Sequence, residues 1–151
     1  MMNTDLARQS NLYNADYISW IETTVKKLKH QDYASVDWEN VIEEMEGMAR
    51  RERQHLRSNL IVLLLHLLKW HYQPSKRSGS WKGSIVEHRQ RIEDILEDSP
   101  SLTAYPSEVL EKCYRKAVAQ AAAETGLPPE TFPQGCSYSI SEVLDTNFFP
   151  E

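Results

Sequence analysis

Residues 60–92, LIVLLLHLLKWHYQPSKRSGSWKGSIVEHRQRI, decide the fold of this chain. Leu60 to Leu68 is apolar apart from His66, too short to cross a membrane and long enough to sit at the centre of a core. Pro74 to Gly79 has turn composition, and Ser80 can cap a helix that carries Trp81, Ile85, His88, Ile92, Ile95 and Leu96 on one face. Two apolar helices joined by so short a turn fold back on one another. The stretch therefore predicts an antiparallel hairpin at the heart of an all-α fold.

Working upstream, the same periodicity extends to Trp38. Val41, Ile42, Met45, Met48, Leu56, Leu60, Leu63, Leu64 and Leu67 recur at helical spacing, and on a helical wheel Trp38, Met45, Leu56 and Leu63 mark the buried face. Asp37 opens this helix, with Glu39 favouring its positive end, and Gly47 is the place for a bend. An earlier helix, capped by Asn14 or Asp16, runs to about His30 through Tyr17, Trp20, Ile21, Val25 and Leu28. Downstream, Ser107 can cap a fourth helix that Gly126 closes in a left-handed conformation. Ser139 and Glu142 have the spacing of a capping box for a short terminal helix. The expected architecture is an up-and-down bundle of four main helices in a single domain, residues 1–151. Residues 1–13 are a flexible lead-in, and 127–151 a proline-rich tail packed on the bundle.

Composition narrows the function classes. The chain has 151 residues, 26% of them charged, and a net charge of −5, which argues against a general nucleic-acid coat. Yet Lys69, Lys76, Arg77, Lys82, Arg89 and Arg91 face a single acid, Glu87, so residues 69–91 carry +5 and the rest of the chain −10. Cys113 and Cys136 have no metal-type spacing and form no disulfide framework. The N-terminal segment has no apolar signal core, so a cytoplasmic protein with no membrane partner is expected.

Several words of this sequence together resemble a known family. His66-Leu67-Leu68-Lys69-Trp70, Tyr72-Gln73-Pro74 and Ser80-Trp81 are followed by Ser99-Pro100-Ser101-Leu102, Glu124-Thr125-Gly126-Leu127-Pro128 and Phe132-Pro133. With Tyr13 to Trp20 and Glu43-Glu44 upstream, they resemble the bacterial family known only as domain of unknown function twenty-nine. Asn14 stands where that pattern has an acid. The resemblance implies a small, mostly helical bacterial protein and supplies no activity.

Three groups of residues are candidates for chemistry. His66 and His88 each lie eleven positions from Arg77, so a hairpin turning there sets them level, where they could share a proton or a metal ion. A core histidine bonded to a backbone carbonyl is the competing expectation. Glu52-Arg53-Gln54-His55 matches one Glu-x-x-His unit, but a di-iron bundle needs two such units and two further glutamates. Glu52 falls inside the apolar stripe, where a carboxylate should find a partner. Lys69, Lys76, Arg77, Lys82 and Arg89, interleaved with Trp70, Tyr72 and Trp81, could bind a polyanion such as nucleic acid; the alternative is packing and solvation. No phosphate loop, nucleophile elbow or Cys-His arrangement is present. The leading expectation is a non-enzymatic protein-binding or self-associating accessory protein without a cofactor. Polyanion binding is the alternative, and a metal-dependent enzyme using His66 and His88 the third reading.

Overall fold

The computed structural model describes Arg8 and residues 12–151. It is all-α, with no strand among the described residues. Among the described residues, besides the helical positions 12–15, the helices are α1 (Tyr17–Lys29), α2 (Trp38–Tyr72), α3 (Gly79–Asp98), α4 (Tyr105–Thr125) and α5 (Ile140–Leu144), linked by short 3₁₀ turns. The chain divides into two compact units, Met1–Arg50 and Arg51–Glu151, and the division falls inside α2, which passes through Gly47 without interruption.

In the first unit, Asp16 caps α1 by accepting from the Ser19 amide, while Lys26, Lys27 and Lys29 crowd the negative end of the helix dipole. Trp20 is buried, and Thr24 returns its hydroxyl to the Trp20 carbonyl. Gln31, in the left-handed region with φ 58°, turns the chain toward a 3₁₀ turn at Tyr33–Ser35. Lys27 Nζ donates to the Ser35 carbonyl and holds that turn against α1. Asp37 then opens α2, its carboxylate accepting from the Asn40 amide at 3.4 Å and from the Asn40 side chain at 2.6 Å. The expected lead-in over residues 1–13 lies, apart from Arg8, Leu12 and Tyr13, outside the described residues.

The second unit is built on the leucines. Leu60, Leu63, Leu64, Leu67 and Leu68 are fully buried with Ile85 and Ile92 of α3 and with Cys113, Tyr114, Ala117 and Ala121 of α4. Each such leucine contributes roughly 1.5–3 kcal/mol of apolar burial. Ala117 and Ala121 are fully buried on the packed side of α4. The tail closes this core with Phe132, Tyr138 and Val143. Tyr114 fixes its course by donating to the Pro133 carbonyl at 2.6 Å. A satellite cluster, Leu56, Ile95 and Leu102, continues the packing.

Three local expectations need correction. Ser78, not Ser80, caps α3: it is extended (φ −140°, ψ 164°) and its hydroxyl accepts from the Trp81 amide. α4 starts at Tyr105 with Pro106 in its first turn and has no side-chain cap, so Ser107 lies inside the helix. Proline supplies the start because it has no amide hydrogen to leave unsatisfied and its φ is already helical. Most consequential, Trp38 and Met45 are exposed rather than part of a buried face. Gly126 does close α4, at φ 74°, and Ser139 with Glu142 forms both bonds of the capping box on α5.

Candidate functional site

Four of the five basic candidates at the end of the hairpin make contacts within the fold. Lys69 pairs with Glu124 at 3.0 Å and lies 4.8 Å from the centre of the Trp81 ring. Arg77 stacks over Trp70, donates through Nε to the Trp70 carbonyl at 2.8 Å and through Nη2 to the Pro150 carbonyl. Arg89 is 3% exposed. Its Nε donates to the Val143 carbonyl, and its Nη2 to those of Phe148 and Glu142. Its Nη1 is enclosed without an acceptor among the described residues, and the guanidinium carbon lies 5.4 Å from the Phe149 ring centre. Lys82 approaches the same ring at 5.5 Å. Arg77, Arg89 and Lys82 hold the C-terminal tail by its carbonyls and by the face of Phe149, whereas Lys69 contacts Trp81 of α3 and Glu124 of α4. Lys76 makes none of these contacts among the described residues, and it is exposed. An open cavity of about 560 Å³ beside Arg89 is lined by Glu93, Glu97 and Asp145, a charge pattern that repels an anion.

The two histidines do stand level. Ser84 Oγ lies 3.4 Å from His66 Nδ1 and 3.3 Å from His88 Nδ1. Each ring nitrogen is also bonded to the carbonyl four residues earlier in its own helix, Val62 for His66 and Ser84 for His88, at 2.8 and 2.7 Å. Those carbonyls accept from Nδ1–H, so both rings are bonded to backbone as the competing expectation has it. Burial pushes the His66 pKa down. No group of three or more His, Cys, Asp or Glu side chains among the described residues could hold a metal ion. Glu52 is half-buried rather than enclosed, and no ion pair reaches it among the described residues.

A third histidine, His71, stood in the sequence only as a member of the basic hairpin end, with no partner assigned to it. His71 Nδ1 and the Tyr138 hydroxyl share a hydrogen bond at 2.7 Å. Burial pushes the His71 pKa down and the Tyr138 pKa up, so the phenol keeps its proton and the imidazole stays neutral. Nothing local in the sequence announces the pair, because its members are 67 positions apart.

Large exposed apolar side chains gather elsewhere. Tyr17, Ile18, Val25, Tyr33, Trp38, Ile42, Met45 and Met48 all belong to the first unit, against Val86 alone in the second. On α2, Ile42, Met45 and Met48 are 54%, 65% and 60% exposed. On α1, Ile18 and Val25 are seven residues apart and share a face. Behind them the unit is well fastened: Glu44 accepts from the hydroxyls of both Tyr13 and Tyr17, and Tyr13 packs edge-on against Trp20. The outward stripe is therefore the surface of an ordered unit.

A model of the family described as Domain of unknown function DUF29 matches residues 12–149. The chain belongs to this family. Searches against curated proteins and against solved structures found no match. The words that carry the family resemblance are structural partners of one another. Lys69 of the first word pairs with Glu124, and Tyr72 meets Phe132 edge-on with ring centres 5.2 Å apart. Upstream, Tyr13 and Tyr17 are bound by Glu44. In this chain these words thus help to hold each unit together, and the family is described only as a domain of unknown function.

Proposed function

We propose that this member of the DUF29 family is a non-enzymatic protein-binding module whose contact surface is the apolar face of its first unit. The observation that carries this reading is the segregation of large exposed apolar side chains into residues 17–48. Scattered surface hydrophobics are ordinary, but a concentration along helix faces marks an interaction site. Met45 and Met48 suit the role, because flexible thioether side chains adapt to a docking surface. The potential reactive groups point the same way: Lys69, Arg77, Lys82, Arg89, His66, His71 and His88 all have partners within the second unit. No helix of the described chain is long and apolar enough to cross a membrane, and Cys113 and Cys136 are free thiols. We place the protein in a reducing bacterial cytoplasm.

The test is site-specific photo-crosslinking in the native host. A photoreactive residue at Met45 forms a defined protein adduct, while one at the exposed Lys112 of α4 does not. Ile42→Glu removes the Met45 adduct. Equal labelling from both positions, or an adduct indifferent to Ile42→Glu, would refute the assignment.

A further inference from the structure

The cavity of about 560 Å³ beside Arg89 lies within the second unit and has a charge order of its own. Arg89, Glu93 and Glu97 follow one another at four-residue steps along α3, so they share one face of the helix, about 6 Å apart along its axis. Asp145, just past the end of α5, lies close enough to act on the Arg89 charge. The three carboxylates are exposed, while Arg89 is buried. Leu96 and Leu144 belong to the apolar part of the lining.

One donor of this arginine has nothing to bind. Nε and Nη2 are given to carbonyls of α5 and the tail, but Nη1 has no acceptor among the described residues. A buried guanidinium N–H left unpaired is costly, and a carboxylate is its strongest complement. A simple anion is repelled by three acids set against one arginine. A molecule that joins one carboxylate to two ammonium groups is not repelled, since it brings net positive charge to a net negative lining. We propose that this cavity binds a basic α-amino acid. Its carboxylate meets Arg89 Nη1, its α-ammonium meets Asp145, and its side-chain cation meets Glu93 and Glu97, with the methylenes against Leu96 and Leu144. Nη1 is enclosed in the free chain, so the carboxylate reaches it by displacing Asp145 and Thr146, which are exposed at the rim. The volume falls in the range of small-molecule sites, roughly 300–1,000 Å³. This site is separate from the contact surface of the first unit, and each reading stands or falls without the other.

Isothermal titration calorimetry of the full chain with L-lysine tests the site, and saturable one-to-one binding is the expected result. Cadaverine is L-lysine without the carboxylate, and L-norleucine lacks only the side-chain ammonium. Each should bind at least about tenfold more weakly. Glu93→Gln combined with Glu97→Gln should cost L-lysine a similar factor and leave L-norleucine unaffected. Both side chains are exposed, so the double variant keeps its fold, checked by far-UV circular dichroism. The Arg89 contact is probed through the ligand because Arg89 also holds the tail. Absence of saturable L-lysine binding at millimolar concentration overturns the proposal. Cadaverine binding as tightly as L-lysine overturns it too, because the carboxylate then has no role. So does a double variant that binds L-lysine like the wild type, because the ligand then lies outside the cavity.

Discussion

Arg89 Nη2 donates to the Phe148 carbonyl oxygen at 2.7 Å, joining the middle of α3 to a residue 59 positions later. The same guanidinium holds the Val143 carbonyl through Nε. A charged group this deeply enclosed is tolerated because backbone carbonyls replace the water it has lost. Removing it leaves those carbonyls without donors. Arg89→Ala should therefore destabilise the chain by about 3 kcal/mol or more, read as a lowered urea midpoint. Arg89→Lys should recover only part of the loss, since a single ammonium cannot reproduce the planar fork. An unchanged midpoint for Arg89→Ala would show that the grip is not holding the tail.

Stability should fall in mild acid. Burial holds His66 and His71 below the ordinary imidazole value of 6.5. Well above that value both states are neutral at these sites, and the contribution is fully present. As the pH drops through about 6.5 the unfolded chain takes up protons that the folded chain refuses, and stability declines until the folded pKa values are passed. The urea midpoint should thus be lower near pH 5.5 than near pH 7.5, and His66→Gln with His71→Gln should flatten that difference. A midpoint that rises on acidification would contradict the assignment.

At the entrance to α1, the hydrogen bond to Glu44 is foremost in pushing the Tyr13 phenol up to about 12. Its contribution is present below the unfolded value near 10 and lost between there and about 12. Glu44→Ala should return the Tyr13 titration toward 10, followed by tyrosinate absorbance. It should also speed amide exchange across residues 12–20, while exchange in α4 stays unchanged. Retained protection would mean that the aromatic contacts of Tyr13 and Tyr17 suffice without the carboxylate.

Gly126 offers a purely backbone test. Its φ is 74°, and a Cβ added there would meet nothing within 4 Å. Gly126→Ala should cost about 1 kcal/mol from the left-handed conformation alone, and Gly126→Asn less. Thermal denaturation orders the three. A neutral Gly126→Ala would mean that the helix end relaxes to another geometry.

Much of the local structure was legible because its causes are local. Asp16 and Asp37 open their helices, Gly126 ends one, and Ser139 with Glu142 forms the capping box, each through bonds to near neighbours. The run from Leu60 to Leu68 could only be core, since no other environment accepts so many adjacent leucines. Where two local signals competed, the reading slipped: Ser78 and Ser80 both offer a hydroxyl before Trp81, and Pro106 displaces Ser107 as the start of α4. The partners of the basic residues were hidden for a different reason. A positively charged string looks like an anion surface until the chain closes and shows Arg77 and Arg89 turned to tail carbonyls.

The sequence by itself determined the helices, their order and the leucine core, because periodicity and capping act within a few residues. Only the tertiary structure decided which apolar faces are covered. Trp38, Met45, Leu56 and Leu63 share one helical stripe and look alike to any periodicity, yet Leu56 and Leu63 are enclosed while Trp38 and Met45 face solvent. Spacing records that a face is apolar. What lies against it depends on segments distant in the chain, and at Trp38 and Met45 this chain leaves the face bare.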